Sequence, residues 1–317
     1  MIIRRWDFQK DAHLVNSFLQ SSALAHSSSI PHSEEWFYWK FRDCPYGEAI
    51  LICAFDGDTV AGCVAMGKWK YGVLGAESYY AGAFETFVHP AYQGKGLFTK
   101  IIEAVEVACK EDGIPFILTF PNSNSFRGYV KMGHQPHDTL RCKLQMCKPL
   151  KVLLNIKSLK LAFVPNHRSK AQLPISERAL KRDVSSSRIT PIWTKEYLKW
   201  RFEGLSNTEY CIVDNAKYFA VARVGYRGIL KECQIIYLQP YDAISIKKAF
   251  REYCRHIRKV VSPDFITCSH SIYSDFKQCT RWFITVPTKV NLCSKSLGDE
   301  KTALHNMDVM AISFHTY

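Results

Sequence analysis

The segment His89 to Gly96, HPAYQGKG, sets a glycine-rich turn between an apolar strand and an amphipathic helix, and it constrains this 317-residue chain more than any other stretch. Before it, Tyr79 to Val88 is dense in aromatic and β-branched residues, as a strand requires. After it, Leu97, Ile101, Ile102, Val105 and Ala108 recur at helical spacing, with Lys100, Glu103, Glu106 and Lys110 on the other faces. The first amides of a helix have no partner within it. Gly94 and Gly96 would therefore let an anion approach bare N–H groups at the positive end of the helix dipole.

A glycine pair before a helix is more often a plain tight turn, so a second segment is needed to decide. Pro115 to His134, PFILTFPNSNSFRGYVKMGH, supplies another buried strand, then Asn122, then a short helix that carries Tyr129 and ends at Gly133. The two segments in this order resemble the GNAT superfamily of acyl-CoA-dependent N-acetyltransferases, in which Q/R-x-x-G-x-G/A precedes a strand, an Asn and a Tyr-x-x-x-Gly ending. Gln93, Gly94, Lys95, Gly96, Leu97 and Phe98 fill the first motif, and Asn122, Tyr129 and Gly133 the second. The resemblance is strongest over about residues 50 to 140. It departs from the pattern at Phe98, where the family prefers Gly or Ala; a backbone amide survives that change, although the bulk could tilt the helix or narrow the pocket.

The resemblance implies acetyl-CoA as acyl donor, its pyrophosphate on the Gln93 to Phe98 amides and its pantetheine arm along the Phe87 and Val88 backbone. It implies that Tyr129 protonates the leaving thiolate, a task open to a phenol of pKa about 10; the alternative is a ring that only packs the helix on the sheet. Glu85, on the strand face shared with Phe87, is the best candidate for the base, with His89, His134 and His137 as substitutes. Asn122 either contacts the cofactor or caps the helix behind it.

Length suits two domains, and the 47% hydrophobic content suits packed cores. No stretch approaches the roughly 20 apolar residues of a membrane span, and the N-terminus lacks a signal-peptide core, so a cytoplasmic location is expected. The twelve cysteines are scattered, many in apolar strands, and read as reduced core residues; no CxxC pair occurs and Cys142 with Cys147 lacks a matching His/Cys partner set at zinc spacing, so no metal is expected.

Of the net charge of +13, ten Lys/Arg against Glu177 and Asp183 place +8 between Lys148 and Arg188, a stretch that reads as an exposed connector. Within it, Leu150 to Val164 reads either as a helix packed on a domain or as one lying on lipid headgroups, and packing is preferred. Without a recognition motif, the charge suits an anionic acceptor better than nucleic acid.

Glu35 to Arg42, EWFYWKFR, reappears as Glu196 to Glu203, EYLKWRFE, and the strands that follow keep step: Ile50 to Phe55 with Cys211 to Val213, then Val60 to Ala65 with Tyr218 to Arg223. This self-similarity suggests duplication. In the second copy, Glu232 to Gln239 would be the strand before the loop and Ala243 to Val260 the helix after it. The loop between them has no glycine and carries Asp242, which could cap the helix but would repel a pyrophosphate.

The expectation is an α/β chain of two GNAT-like domains, each a mixed, mostly antiparallel sheet flanked by helices: residues 1–148 with the CoA site, 149–189 as basic connector, and 190–317 as a degenerate copy. In the tandem arrangement this resembles, the acceptor lies between the halves or under the second. The expected function is N-acetylation of a small amine acceptor, such as an amino sugar or its nucleotide-linked form. The alternatives are a noncatalytic binding or scaffold protein, O-acetylation, and aminoacyl transfer in cell-surface polymer synthesis.

Overall fold

The computed structural model describes residues 1–26, 32–166, 175–181, 184–185, 189–204, 208–242, 244–270, 276–286 and 290–298. The chain divides into two compact units, the first holding Met1–His137 with Val290–Leu304, the second holding Asp138–Lys289. The α/β class with two sheets flanked by helices is the one the sequence predicts.

In the first unit the strands are β1 (Ile2–Arg5), β2 (Ile50–Asp56), β3 (Thr59–Val73), β4 (Ala76–Val88), β5 (Phe116–Thr119) and β6 (Gln135–Thr139). Its helices are α1 (Val15–Ala25), α2 (Glu34–Phe41), α3 (Leu97–Glu111) and α4 (Phe126–Lys131). The sheet runs β1-β2-β3-β4-β5, antiparallel until β4 meets β5 in parallel. One sheet face is aromatic: Trp6, Phe18, Phe37, Phe41 and Phe87 meet edge-on or tilted there, with pairs at ring-centroid separations of 4.9 to 5.3 Å. The other face is aliphatic, where Leu97, Ile101, Ile102, Val105 and Ala108 of α3 pack on Ile52, Ala54, Val64 and Met66. Each such large aliphatic side chain contributes about 1.5–3 kcal/mol through burial.

The second unit opens differently and, from α7 onward, follows with a similar run of strands and helices. It begins with β7 (Arg141–Met146), α5 (Pro149–Leu154), β8 (Val164–Pro165), α6 (Glu177–Leu180) and β9 (Thr190–Pro191). There follow α7 (Lys195–Glu203), β10 (Tyr210–Asp214), β11 (Tyr218–Arg227), β12 (Leu230–Pro240), α8 (Ile246–Val260), β13 (Phe265–His270), α9 (Phe276–Cys279) and β14 (Ile284–Val286). Strands β10-β11-β12 form an antiparallel run and β12 meets β13 in parallel, as β2-β3-β4 and β5 do. Helices α2 and α7 are capped alike, the Ser33 hydroxyl accepting from the Trp36 amide and the Thr194 hydroxyl from the Tyr197 amide.

The sheets divide the chain elsewhere than at residue 148. Strand β15 (Asn291–Ser296), late in the sequence, lies between β5 and β6 of the first sheet, while β7 lies between β13 and β14 of the second. A strand's sheet is set by long-range pairing, which a linear boundary reading does not see. The described part of 149–189 is likewise no free connector. β8 pairs with β11, Val152 is buried with Leu144, Leu230 and Phe265, and Lys148 and Lys151 both reach the buried Asp264. Nor does Leu150 to Val164 pack as a whole: Val152 is buried, but Leu150 and Leu154 are 79% and 84% exposed.

Candidate active site

A β-bulge gives β4 its functional shape. Ala65 pairs with Glu85 and Met66 with Ala83, which leaves Phe84 as an extra residue. The bulge turns consecutive side chains to one face, so Phe84 stacks on Phe41 while Glu85 also faces α1 and α2. Phe87 lies on that face too, edge-on to Phe18, in keeping with the face predicted for Glu85. Beyond the bulge, β4 and β5 part, for their parallel pairing covers only Ala81 with Ile117 and Gly82 with Leu118.

The His89 amide bonds the Ala61 carbonyl on β3 at 2.9 Å. In an antiparallel ladder such bonding recurs every second residue, so Phe87 also turns its backbone to β3, while Thr86 and Val88 turn theirs to the open edge. Val88 is the better placed of the two residues assigned to the pantetheine arm, and its carbonyl already accepts from Gln93 Nε2 at 3.0 Å.

The turn that follows is built for approach from outside. Gly94 and Gly96 hold φ of 75° and 71°, in the left-handed region, and a Cβ added at either would meet nothing within 4 Å. Gly96 is the N-cap of α3 and no side chain caps that helix. The amides of Leu97 and Phe98 therefore lack intrahelical partners by helix geometry, while the Leu97 side chain is buried in the core. Lys95 Nζ lies 3.2 Å from the Ala91 carbonyl. The bulk of Phe98 is accommodated by Gly128, where a Cβ would come within 2.6 Å of the Phe98 ring.

The Phe98 ring meets Tyr129 edge-on at 5.4 Å. Tyr129 is buried, its hydroxyl 3.5 Å from Thr86 Oγ1 beside the open edge of β4. Burial pushes its phenol up to about 12, so it stays protonated through the physiological range. Asn122 Oδ1 accepts from the amides of Asn124 and Ser125 at 2.9 and 3.2 Å, holding the turn that precedes α4, whose N-cap position is Ser125 with no side-chain cap.

Glu85 sits in a charged cluster. Its Oε2 accepts from Lys40 Nζ at 2.7 Å; its Oε1 accepts from His26 Nε2 at 2.9 Å and from the Ser22 hydroxyl at 3.4 Å. Burial pushes this carboxyl up, but the Lys40 charge and the His26 and Lys40 hydrogen bonds outweigh it and hold it down at about 2. A carboxylate so held is a weak base. His26 moves the other way, raised above 6.5 chiefly by its hydrogen bond to Glu85, against the opposing effect of burial. The substitutes for the base are occupied: His89 Nδ1 accepts from the Ala91 amide, His134 meets Glu106 at 3.3 Å, and His137 meets Ser294 at 2.5 Å.

His26 was not singled out in the sequence. The readable sign was the cation inside each aromatic helix, Lys40 between Trp39 and Phe41 and Arg201 between Trp200 and Phe202, for a buried cation calls for a carboxylate. Lys40 lies 4.4 Å from the Trp36 ring center.

The second unit differs at both places. β12 bulges at Ile236, which puts Tyr237 where β4 has Glu85. Helix α8 begins at Ile246 rather than Ala243, and its cap is Ser245, whose hydroxyl accepts from the Lys248 amide, rather than Asp242.

Residues 12–136 match the family model of the acetyltransferase (GNAT) domain. That segment is similar to the GNAT domain, and it spans less than half of the chain. A search of curated proteins finds no match. Among solved structures, this chain is similar to a GCN5-related N-acetyltransferase from Anabaena variabilis, at 12% identity and TM-score 0.63 over 94% of this chain and 73% of that one. It is similar to Eis1 from Mycobacterium abscessus at 12% identity and TM-score 0.58, covering 94% and 74%. A GCN5-related N-acetyltransferase from Kribbella flavida gives 13% and 0.56, covering 93% and 72%. At these identities the structural likeness is one of fold. The GNAT match contains the glycine turn, the β4 bulge and Tyr129.

On the proposal that Tyr129 protonates the leaving thiolate, Tyr129→Phe is expected to lower turnover about 10²-fold while leaving CoA affinity nearly unchanged, since that proton would be needed only as the thiolate leaves. Calorimetry beside steady-state rates separates the two. Full activity in this variant would make Tyr129 a packing residue.

Proposed function

We propose that the chain is an acetyl-CoA-dependent N-acetyltransferase of a small amine. What supports this most is the uncapped start of α3 behind two left-handed glycines, beside the edge where β4 has left β5. The residues fit acetyl-CoA: the space over Gly94 and Gly96 is open, and the amides from Gly94 to Phe98 suit a pyrophosphate. Thr86 and Val88 offer backbone groups to the pantetheine arm. Bound there, acetyl-CoA supplies an activated acyl group.

The acceptor then approaches on the α1–α2 face. A carboxylate only accepts hydrogen bonds, so His26 Nε2 carries the proton shared with Glu85 and Nδ1 remains a proton acceptor. His26 Nδ1 takes the proton from the acceptor ammonium; Glu85, itself a weak base, orients the imidazole and raises its basicity. Tyr129 gives its phenolic proton to the departing sulfur as the new C–N bond replaces C–S, and the second proton that the nitrogen sheds on becoming an amide restores the phenol, directly or through water. The second unit, with Ser245 capping α8 and Tyr237 in place of a carboxylate, contributes no cofactor site and reads as a degenerate copy.

A screen for thiol release from acetyl-CoA against amines, amino sugars, nucleotide-linked amino sugars and peptides tests the reading. Release with none, alongside intact CoA binding, would favour a scaffold. The pH profile tests the base. A histidine raised above 6.5 is protonated, and idle, below its pKa, so kcat/KM is expected to rise with pH through a value above 6.5. Glu85→Gln removes the group that raises it. The limb is expected to shift to lower pH, with the maximum reduced about 10–10²-fold, and a limb unmoved by this change would remove His26 from the proton path.

A further inference from the structure

We infer that the second unit carries a docking surface for anionic lipid headgroups, built from α5, the short 3-10 turn Ile156–Lys160 and β8. Leu150, Leu153, Leu154, Ile156, Leu161 and Val164 are each more than half exposed. The first three lie at i, i+3 and i+4 on the side of α5 opposite Val152, whose burial anchors the helix to the sheet. The patch continues onto the β11–β12 hairpin. Leu161 and Ser158 lie so close to Gly228 that a Cβ there would come within 3.0 Å of each, and the next residue, Ile229, is exposed. Soluble proteins seldom leave so many large apolar side chains together in water.

Charge identifies the occupant. No Asp or Glu occurs in the sequence from Lys148 to Ser176. Lys157 and Lys160 are exposed among the leucines, and no carboxylate partner for them is found among the described residues. The acids beneath are buried and neutralised, Asp264 by Lys148 and Lys151, and Glu232 by Arg227. The surface thus joins apolar side chains to unopposed positive charge, as an interfacial segment does. A second copy of the chain fits worse, because an isologous contact would set these lysines against each other. Nucleic acid would match the lysines and leave the leucines uncovered. Among the described residues no helix is long and apolar enough to cross a membrane, so the contact lies along the surface.

The test is co-sedimentation of the full chain with phosphatidylcholine vesicles, with and without phosphatidylserine. Binding is expected with phosphatidylserine, weak without it, and falling as salt rises. Lys157→Glu with Lys160→Glu is expected to weaken it about tenfold or more. Leu150→Asp with Leu154→Asp should weaken it at least as much, at unchanged melting temperature, since both side chains stand in water. No sedimentation by the native chain would overturn the inference. So would undiminished binding by the leucine variant, which would mark bulk adsorption of a basic protein, or a native dimer that the leucine variant dissociates in the absence of vesicle binding.

Discussion

Ser294→Pro is expected to destabilise the first unit strongly and to weaken CoA binding there, although position 294 lies far along the sequence from the glycine turn. Ser294 is buried in β15, which is flanked by β5 on one side and β6 on the other, with Cys293 to Ser296 opposite Thr119 to Phe116. In a central strand every amide has a partner, so proline removes a ladder bond whichever way that amide points, and its ring forces the strands apart. The cost is about 3 kcal/mol from the backbone alone, and the lost bond to His137 adds about 1 kcal/mol. Together these lower the melting temperature by about 10 °C or more. Neighbouring ties fail with the strand: Lys295 Nζ joins Glu106 and the Met132 carbonyl, both at 2.6 Å, behind the helix that carries Tyr129. Thermal melting of the variant with and without CoA reads the effect. Were residues 190–317 a self-contained domain, the variant would damage only the second unit and CoA would still stabilise the first.

Gly96→Asp is expected to lower CoA affinity on the order of 10²–10³-fold in a protein that remains folded. At φ of 71° a side chain adds about 1 kcal/mol of strain, while a carboxylate set against a phosphate at a helix start opposes it by several kcal/mol at short range. Gly96→Ala separates the two effects. It has the strain without the charge and should lose about tenfold or less. Equal losses in both variants would show that backbone shape, rather than anion binding, is what the glycine serves.

The glycine turn, the amphipathic α3, the turn at Asn122 and the paired aromatic helices were legible in the sequence because each is a local pattern set by turn chemistry, capping or periodicity. What was not legible depends on pairing at long range. The placement of β15 beside β5, and of β7 beside β13, leaves no mark in the residues near either boundary. The bulge at Phe84 shifts the alternation of β4, and Gly82 two residues before it, a residue that within a strand suggests a bulge, went unread. For that reason Glu85 could be assigned to the right face while its partners, Lys40 and His26 on two other elements, went unread. The surface of α5 was misjudged for a related reason: an apolar helix and a packed helix look alike until the neighbours are known.

Calorimetric titration of CoA into the full chain tests the central claim most directly. One site per chain is predicted, because among the described residues only α3 opens behind left-handed glycines with no side-chain cap, whereas α8 is closed by Ser245. Two sites per chain would contradict the degenerate reading of the second unit, and no binding by the folded protein would contradict the assignment of His89 to Phe98 as a cofactor cradle.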